Sequence, residues 1–166
     1  TAQQPHPPFW MAAGRAESLQ YAAREGYNLF LDQFQTFDVI FKRLRIYKQA
    51  MAAAGRKCDP LGVAVARGLV ITRTDEERED AIVKRIQHLE MMNAFGRSTD
   101  GKTQSSMVSD ANLRKAAEDG LLIGTPDDII ARLQRMAKEG IDHVLLSTRT
   151  QESLRDFAKE VLPIFT

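Results

Sequence analysis

The sequence predicts an α/β protein built around a parallel sheet. Three observations carry this. Short apolar runs occur four times, at Pro8–Ala13, Tyr27–Leu31, Leu61–Thr72 and His143–Ser147. Each is followed by a polar turn and then a segment whose apolar residues recur at helical spacing. The connections are helix-length rather than tight hairpins, as parallel pairing of successive strands requires. Four βα units are half of the eight that close a barrel, so the pattern fits a small open α/β domain or half of a larger body.

The elements follow in order. Residues 1–8, TAQQPHPP, are polar and proline-rich and read as a tail or linker ahead of a domain spanning 9–166. An opening on Thr1 rather than methionine carries the expectation of missing upstream sequence. Phe9 to Ala13 starts the first strand, because the preceding prolines cannot donate to a ladder. Ser18 to Arg24 is the next helix, closed by Gly26. Thr36 caps a second helix with Phe37, Ile40, Leu44, Tyr47 and Met51 on one stripe, ending at Gly55. The third strand, GVAVARGLVIT, is interrupted by Arg67 and Gly68, which predicts a bulge or a functional side chain at the rim. Thr74 and Glu77 form a capping box, and Ala81, Ile82, Ile86 and Leu89 form the buried stripe of the helix that follows. Gly96 to Ser109 is long, polar and hydroxyl-rich, and is expected to be a mobile functional loop. A short helix covers about Ala111 to Glu118. Thr125 and Asp128 form a second capping box, with Pro126 at the first helical position and Gly140 at the end. A final helix runs from about Gln151 to Val161.

Composition narrows the class. The chain has 166 residues, enough for one domain with a sizeable core. Its formal net charge is +1, which points to neither nucleic acid nor a membrane surface. No apolar run approaches the roughly 20 residues of a membrane-spanning helix. The single cysteine, Cys58, excludes an intrachain disulfide, and a reducing, cytoplasmic setting is the expectation.

Ligands of parallel sheets bind at the carboxyl ends of the strands, so the residues after each strand are the candidates. After the first comes AAGRAES. Gly14 permits close backbone approach, and the amides of Ala16, Glu17 and Ser18 open a helix, where unpaired N–H groups and the helix dipole attract phosphate. Arg15 adds a cation and Ser18 a hydroxyl. The bland reading is a plain strand-to-helix turn. Asp32 and Gln33 follow the second strand, either as a polar pair at the rim or as a helix-entry turn. Arg67 lies within an apolar strand and needs a partner or an anion unless it sits on a solvated strand end. Ser147, Thr148 and Arg149 follow the last strand. His6, His88 and His143 are poor catalytic candidates by position. No cluster has metal-ligand spacing, so no metal site is expected. Trp10 and Met11 read as core, and the KRLR of the second helix reads as its wet face.

The order PPFWMAAGRAESLQYAAREGYNLFL, ARGLVITRTDEERED, LIGTPDDIIARLQRMAKEGIDHVLLS resembles the C-terminal half of the bacterial luciferase-like flavin-dependent monooxygenases. The segment GTPDDIIARL…GIDHVLLS is its most specific part. GRSTDGKTQSSM resembles the mobile active-site loop of the alkanesulfonate monooxygenase branch. The resemblance implies units five to eight of a TIM (β/α)8 barrel. It implies reduced FMN delivered by a flavin reductase, or the deazaflavin F420 in some branches, bound at the carboxyl rim. It implies oxygen activation and oxygenation of a small organic substrate. The flavin phosphate falls on Gly14, Arg15, Ala16, Glu17 and Ser18. Arg67 matches a strand-seven arginine that serves substrate or flavin, Arg97 a loop arginine that closes over the ligands, and Arg149 stands where the sulfonate branch has a tyrosine. Many relatives carry a serine pair in place of Gly14 and Arg15. The family's N-terminal half, which supplies much of the flavin cradle, is not in this sequence. Two alternatives stand beside this reading. One is a catalytically silent half-barrel that self-associates as a homo-oligomer or joins the missing half. The other is an F420-dependent oxidoreductase of the same superfamily.

Overall fold

A computed structural model describes residues 3–95, 108 and 110–165. The chain alternates β1 (Trp10–Ala12), α1 (Ala16–Glu25), β2 (Asn28–Leu31), α2 (Phe37–Ala53), β3 (Val63–Ile71), α3 (Asp75–Phe95), α4 (Leu113–Asp119), β4 (Leu121–Gly124), α5 (Pro126–Glu139), β5 (His143–Ser147) and α6 (Gln151–Asp156), with a π-helical turn over Phe157–Val161. All strand pairs are parallel.

The long strand β3 organises the sheet. Its first residues pair with β2 (Leu29 with Val63), its middle with β5 (Ala64 with His143), and its end with β4 (Gly68 with Leu121). Gly68 therefore has a strand on each side, and a Cβ there would lie 2.6 Å from the Leu121 side chain. The expected interruption at Arg67–Gly68 is absent, and the strand runs through both residues. The glycine serves close approach rather than a bulge.

The fifth strand, β4, lies outside the four expected apolar runs. Its LLIG is fully buried and sits between a short helix and the Thr125 cap, too short to show a period of its own. β1, β2 and β3 match the expected runs with their ends trimmed, and β5 coincides with His143–Ser147. Helix ends also follow local chemistry. Gly26 (φ 76°) and Gly140 (φ 87°) close α1 and α5, and Thr125 with Asp128 forms the complete capping box. At α3 the box is altered: Glu77 N–H donates to the Thr74 hydroxyl, but the Glu77 carboxylate accepts from Arg73 N–H instead of the cap residue.

Period-two alternation divides the sheet. Leu29, Leu31, Val63, Val65 and Leu69 face α1, α2 and α5 and form the main core with Leu19, Phe37, Ile40, Leu44, Ile129 and Met136. A second core gathers Ile82 and Leu89 of α3, Leu113, Ala116 and Ala117 of α4, and Leu121 and Ile123 of β4. It stands beside the C-terminal half of β3, beyond the reach of β2. The opposite sheet face carries Trp10, Ala12, Phe30, Ala66 and Leu145. Trp10 is 44% exposed and Leu145 59%, so Trp10 is not the core residue it was expected to be. Its ring nevertheless lies 6.1 Å from that of His143, although β2 and β3 separate β1 from β5. Three interstrand spacings would hold flat edges about 14 Å apart, so these side chains meet over a sheet that curls toward this face.

Candidate functional site

A cleft of about 310 Å³ opens at the C-terminal ends of β1 and β2 and beside the middle of β3. Ala12, Ala13, Phe30, Phe34 and Ala66 make its apolar wall, and Gly14, Asp32 and Gln33 its polar lip. Parallel strands force these residues together, because each chain segment leaves the sheet at the same rim.

The lip is built from the β1–α1 turn. Arg15 is the N-cap of α1 and supplies no side-chain cap. Leu19 N–H is bonded to the Arg15 carbonyl at 3.0 Å, leaving the amides of Ala16, Glu17 and Ser18 without intrahelical acceptors. Arg15 is exposed and Ser18 half-buried. A Cβ on Gly14 would come within 3.1–3.3 Å of the Arg43 guanidinium, so the absence of a side chain lets that cation approach the turn.

Arg43 contradicts the expectation of a wet KRLR face: it is 7% exposed and ion-paired with Asp32. The other carboxylate oxygen of Asp32 accepts from the N–H of Phe34 (2.9 Å) and Gln35 (3.1 Å). Asp32 is thus both the helix-entry turn and a rim group, and both of its sequence readings hold. Arg43 was legible in principle: it lies three residues after Ile40 and four before Tyr47, inside the buried stripe of α2.

Arg67 is fully buried and belongs to the helix-facing side. It shares the parity of Val63, Val65 and Leu69, and its guanidinium lies 5.6 Å from the Phe37 ring of α2. The expected rim position facing substrate is not where the side chain goes. Nη1 donates to the carbonyls of Asp32 (2.9 Å) and Ala66 (2.8 Å), while Nε and Nη2 have no partner among the described residues. Burial pushes its pKa down to about 10, against the opposing pull of Asp32 and Asp119, so it stays charged at neutral pH.

Arg85 of α3 holds the next carbonyl of the same wall. Its Nη2 donates to Gln33 O at 2.8 Å, and its guanidinium sits 5.5 Å over the Phe34 ring. Arg67 and Arg85 thereby clamp consecutive carbonyls, Asp32 and Gln33, from behind the cleft. Nothing in the local sequence around Arg85 marks it, because its partners come from 52 residues away.

The remaining candidates are dispersed. Arg149 is exposed, two residues beyond β5. Arg97 and nearly all of the polar loop expected at 96–109 lie outside the described residues; Val108, which is described, is buried in the second core. His143 sits at the opposite rim, as expected. Among the described residues no group of three His, Cys, Asp or Glu side chains gathers to hold a metal ion, and no helix is long and apolar enough to cross a membrane.

The sequence profile of the luciferase-like monooxygenases matches residues 1–143, and the chain belongs to that family. No curated protein matches it. Among solved structures it is similar to the monooxygenase RslO1 from Streptomyces bottropensis, with 26% identity over 100% of this chain and 50% of that one and a TM-score of 0.65. It shares its fold with the oxygenating constituent of 3,6-diketocamphane monooxygenase from the CAM plasmid of Pseudomonas putida, solved with FMN (17% identity, 95% and 48% coverage, TM-score 0.60). The same holds for an F420-dependent secondary alcohol dehydrogenase solved with an F420–acetone adduct (14% identity, 98% and 50% coverage, TM-score 0.67). The chain spans about half the length of each of these proteins. Its parallel α/β sheet with surrounding helices is the fold class expected from the sequence.

Proposed function

We propose that this chain forms the flavin-phosphate side of a flavin-dependent monooxygenase, as units five to eight of its barrel. The observation that carries the reading is the lip of the cleft: an uncapped helix start at Ala16–Ser18, a glycine at 14 with no side chain in the way, and the Arg43 guanidinium against it. These residues fit a flavin nucleotide. The amides of Ala16, Glu17 and Ser18, the Ser18 hydroxyl and Arg15 suit a phosphate, and Phe30, Phe34, Ala12 and Ala66 suit the face of a planar ring.

When bound in its reduced form, FMN supplies the electrons that let O2 place one oxygen atom in a substrate. The protein's part is positional. The apolar wall excludes water from the ring. Arg43 raises the positive potential under the Gly14 turn, and Asp32 holds Arg43 in place. Arg67 acts through the Asp32 carbonyl as a positioning residue and does not reach the reacting atoms. Arg149 and the loop arginine Arg97 are the substrate-side cations in this proposal, and a flavin reductase is the partner that delivers the cofactor.

Fluorescence titration of the chain with FMN and with riboflavin tests this. FMN should bind more tightly, and Arg15→Ala and Ser18→Ala should narrow the gap. Equal affinities for the two flavins in the unaltered chain would remove the phosphate assignment. A parallel titration with F420 decides the deazaflavin alternative.

The exposed face supports a second reading. Among the described residues, nothing covers Leu145 and Trp10 or pairs the outer edges of β1 and β5, which leaves apolar and ladder-ready surface. We infer that the chain associates with itself or with the complementary half of its barrel. Multi-angle light scattering at micromolar concentration should return more than the monomer mass; a clean monomer contradicts self-association.

A further inference from the structure

The back of the cleft wall fixes the direction of its front. Where β2 leaves the sheet, two arginines reach the chain from behind the cleft. Nη1 of Arg67 donates to Asp32 O and to Ala66 O, which ties the exit of β2 to the middle of β3. Nη2 of Arg85 donates to Gln33 O, and Gly120 lies so close to that carbonyl that a Cβ there would stand 3.0 Å from it. The carbonyls of Asp32 and Gln33 are therefore taken on the side away from the cleft, where Arg67 is fully buried beside Phe37 of α2.

A trans peptide points its N–H opposite to its C=O. The Asp32–Gln33 peptide is trans. Its carbonyl faces Arg67, so the Gln33 N–H faces the other way, onto the sheet face of Ala12, Phe30 and Ala66 that lines the cleft. The next two amides are occupied, since those of Phe34 and Gln35 donate to Oδ1 of Asp32. The Gln33 N–H has no acceptor among the described residues, although Gln33 is half-buried and lines the cleft. A sheltered backbone donor is costly to leave unpaired, and the apolar side chains of the wall offer it no acceptor.

We infer that Arg67 is a positioning residue that turns the Gln33 N–H into the cleft as a hydrogen-bond donor for a carbonyl oxygen of the ligand. A cation bonded to one side of the peptide also polarises it, which strengthens the donor on the other side. Arg67 is buried and bridges two segments, so the donor is aimed before any ligand arrives. A single neutral N–H in an apolar wall suits a neutral carbonyl better than an anion, which would need several donors. That carbonyl has two sources in this cleft, the ring of a flavin and a ketone substrate; only the first rests on the flavin reading.

Amide NMR of the nitrogen-labelled chain tests this, with riboflavin, with cyclohexanone, and with methylenecyclohexane as a control of similar shape that lacks the oxygen. In the free chain the Gln33 amide should exchange with solvent faster than those of Phe34 and Gln35. Riboflavin, cyclohexanone or both should move it downfield saturably and slow its exchange, and methylenecyclohexane should not. A shift with riboflavin alone gives the carbonyl to the flavin ring; a shift with cyclohexanone gives it to a ketone substrate. Exchange in the free chain as slow as that of Phe34, or no shift with either carbonyl compound, overturns the donor. Flavin fluorescence on the same samples separates the two failures: riboflavin bound with Gln33 unmoved by either compound refutes the donor and leaves the flavin reading standing. Arg67→Met should erase the shift and weaken the ligand that causes it by about three- to tenfold, the worth of one hydrogen bond, and Arg67→Lys, which keeps one donor, should restore part of both. Shift and affinity unchanged in Arg67→Met would remove Arg67 from the role. Should a variant fail to fold, the shift in the unaltered chain still decides whether the donor exists.

Discussion

Replacing Asp32 should cost more stability than any other single change at the cleft. Asp32→Ala removes the carboxylate ion-paired with Arg43, whose side chain is 8% exposed, and the two backbone hydrogen bonds that Asp32 accepts in the β2–α2 turn. Breaking a buried pair from one side costs about 3–5 kcal/mol. Asp32 itself is 22% exposed, so water softens the loss, and the lower end applies. About 3 kcal/mol in a domain of this size lowers the thermal midpoint by roughly 6–12 °C. The informative assay is a double-mutant cycle by urea denaturation with Asp32→Asn, Arg43→Met and the pair. A coupling energy of about 1–2 kcal/mol is expected between the two side chains. A coupling below about 0.5 kcal/mol would refute the claim that Asp32 holds Arg43 under Gly14.

Three further outcomes follow from the same geometry. Arg67→Met should change folding stability by about 1 kcal/mol or less, because two lost bonds to carbonyls are offset by removal of two unfilled buried donors; a loss above about 3 kcal/mol in urea denaturation would mean those donors are satisfied. Gly68→Ala should destabilise by about 1–3 kcal/mol, since its Cβ would press on the Leu121 side chain where β3 meets β4; a thermal midpoint unchanged from the parent would contradict that packing. Thr125→Ala should return Asp128 toward the ordinary carboxylate range, because the Thr125 hydroxyl and amide hold its pKa low, as carboxyl-carbon NMR can follow. The sign for stability is fixed. Asp128 is depressed in the folded state, so its contribution is present above the ordinary Asp value and fades as pH falls through the depressed one; the variant keeps the residue-125 amide and should lose only the hydroxyl's share of that acid-side slope.

The strands and helix caps were legible because their signals are local. Apolar runs, Thr125–Asp128 and the closing glycines each act within a few residues. What stayed hidden depends on distant partners or on parity. The four buried residues of β4 carry no alternation, and pairing with the overhanging end of β3 is what makes them a strand. Arg67 advertises its side: counting by twos from Val63 places it with the buried residues, although its charge by itself suggests the rim. Arg43 lay on a readable helical stripe, masked by its basic neighbours Lys42 and Arg45, which are exposed. Arg85 had no local signal, since its role comes from Gln33 and Phe34 across the fold. The turn after β1 stands out in the sequence because a strand end, a glycine and a helix start coincide there.

The direct test of the central claim is a crystal structure of the chain grown with FMN. The account predicts the phosphate against the amides of Ala16, Glu17 and Ser18, with the ring along Phe30 and Ala66. A phosphate seated elsewhere, with the Gly14 turn empty, would contradict it.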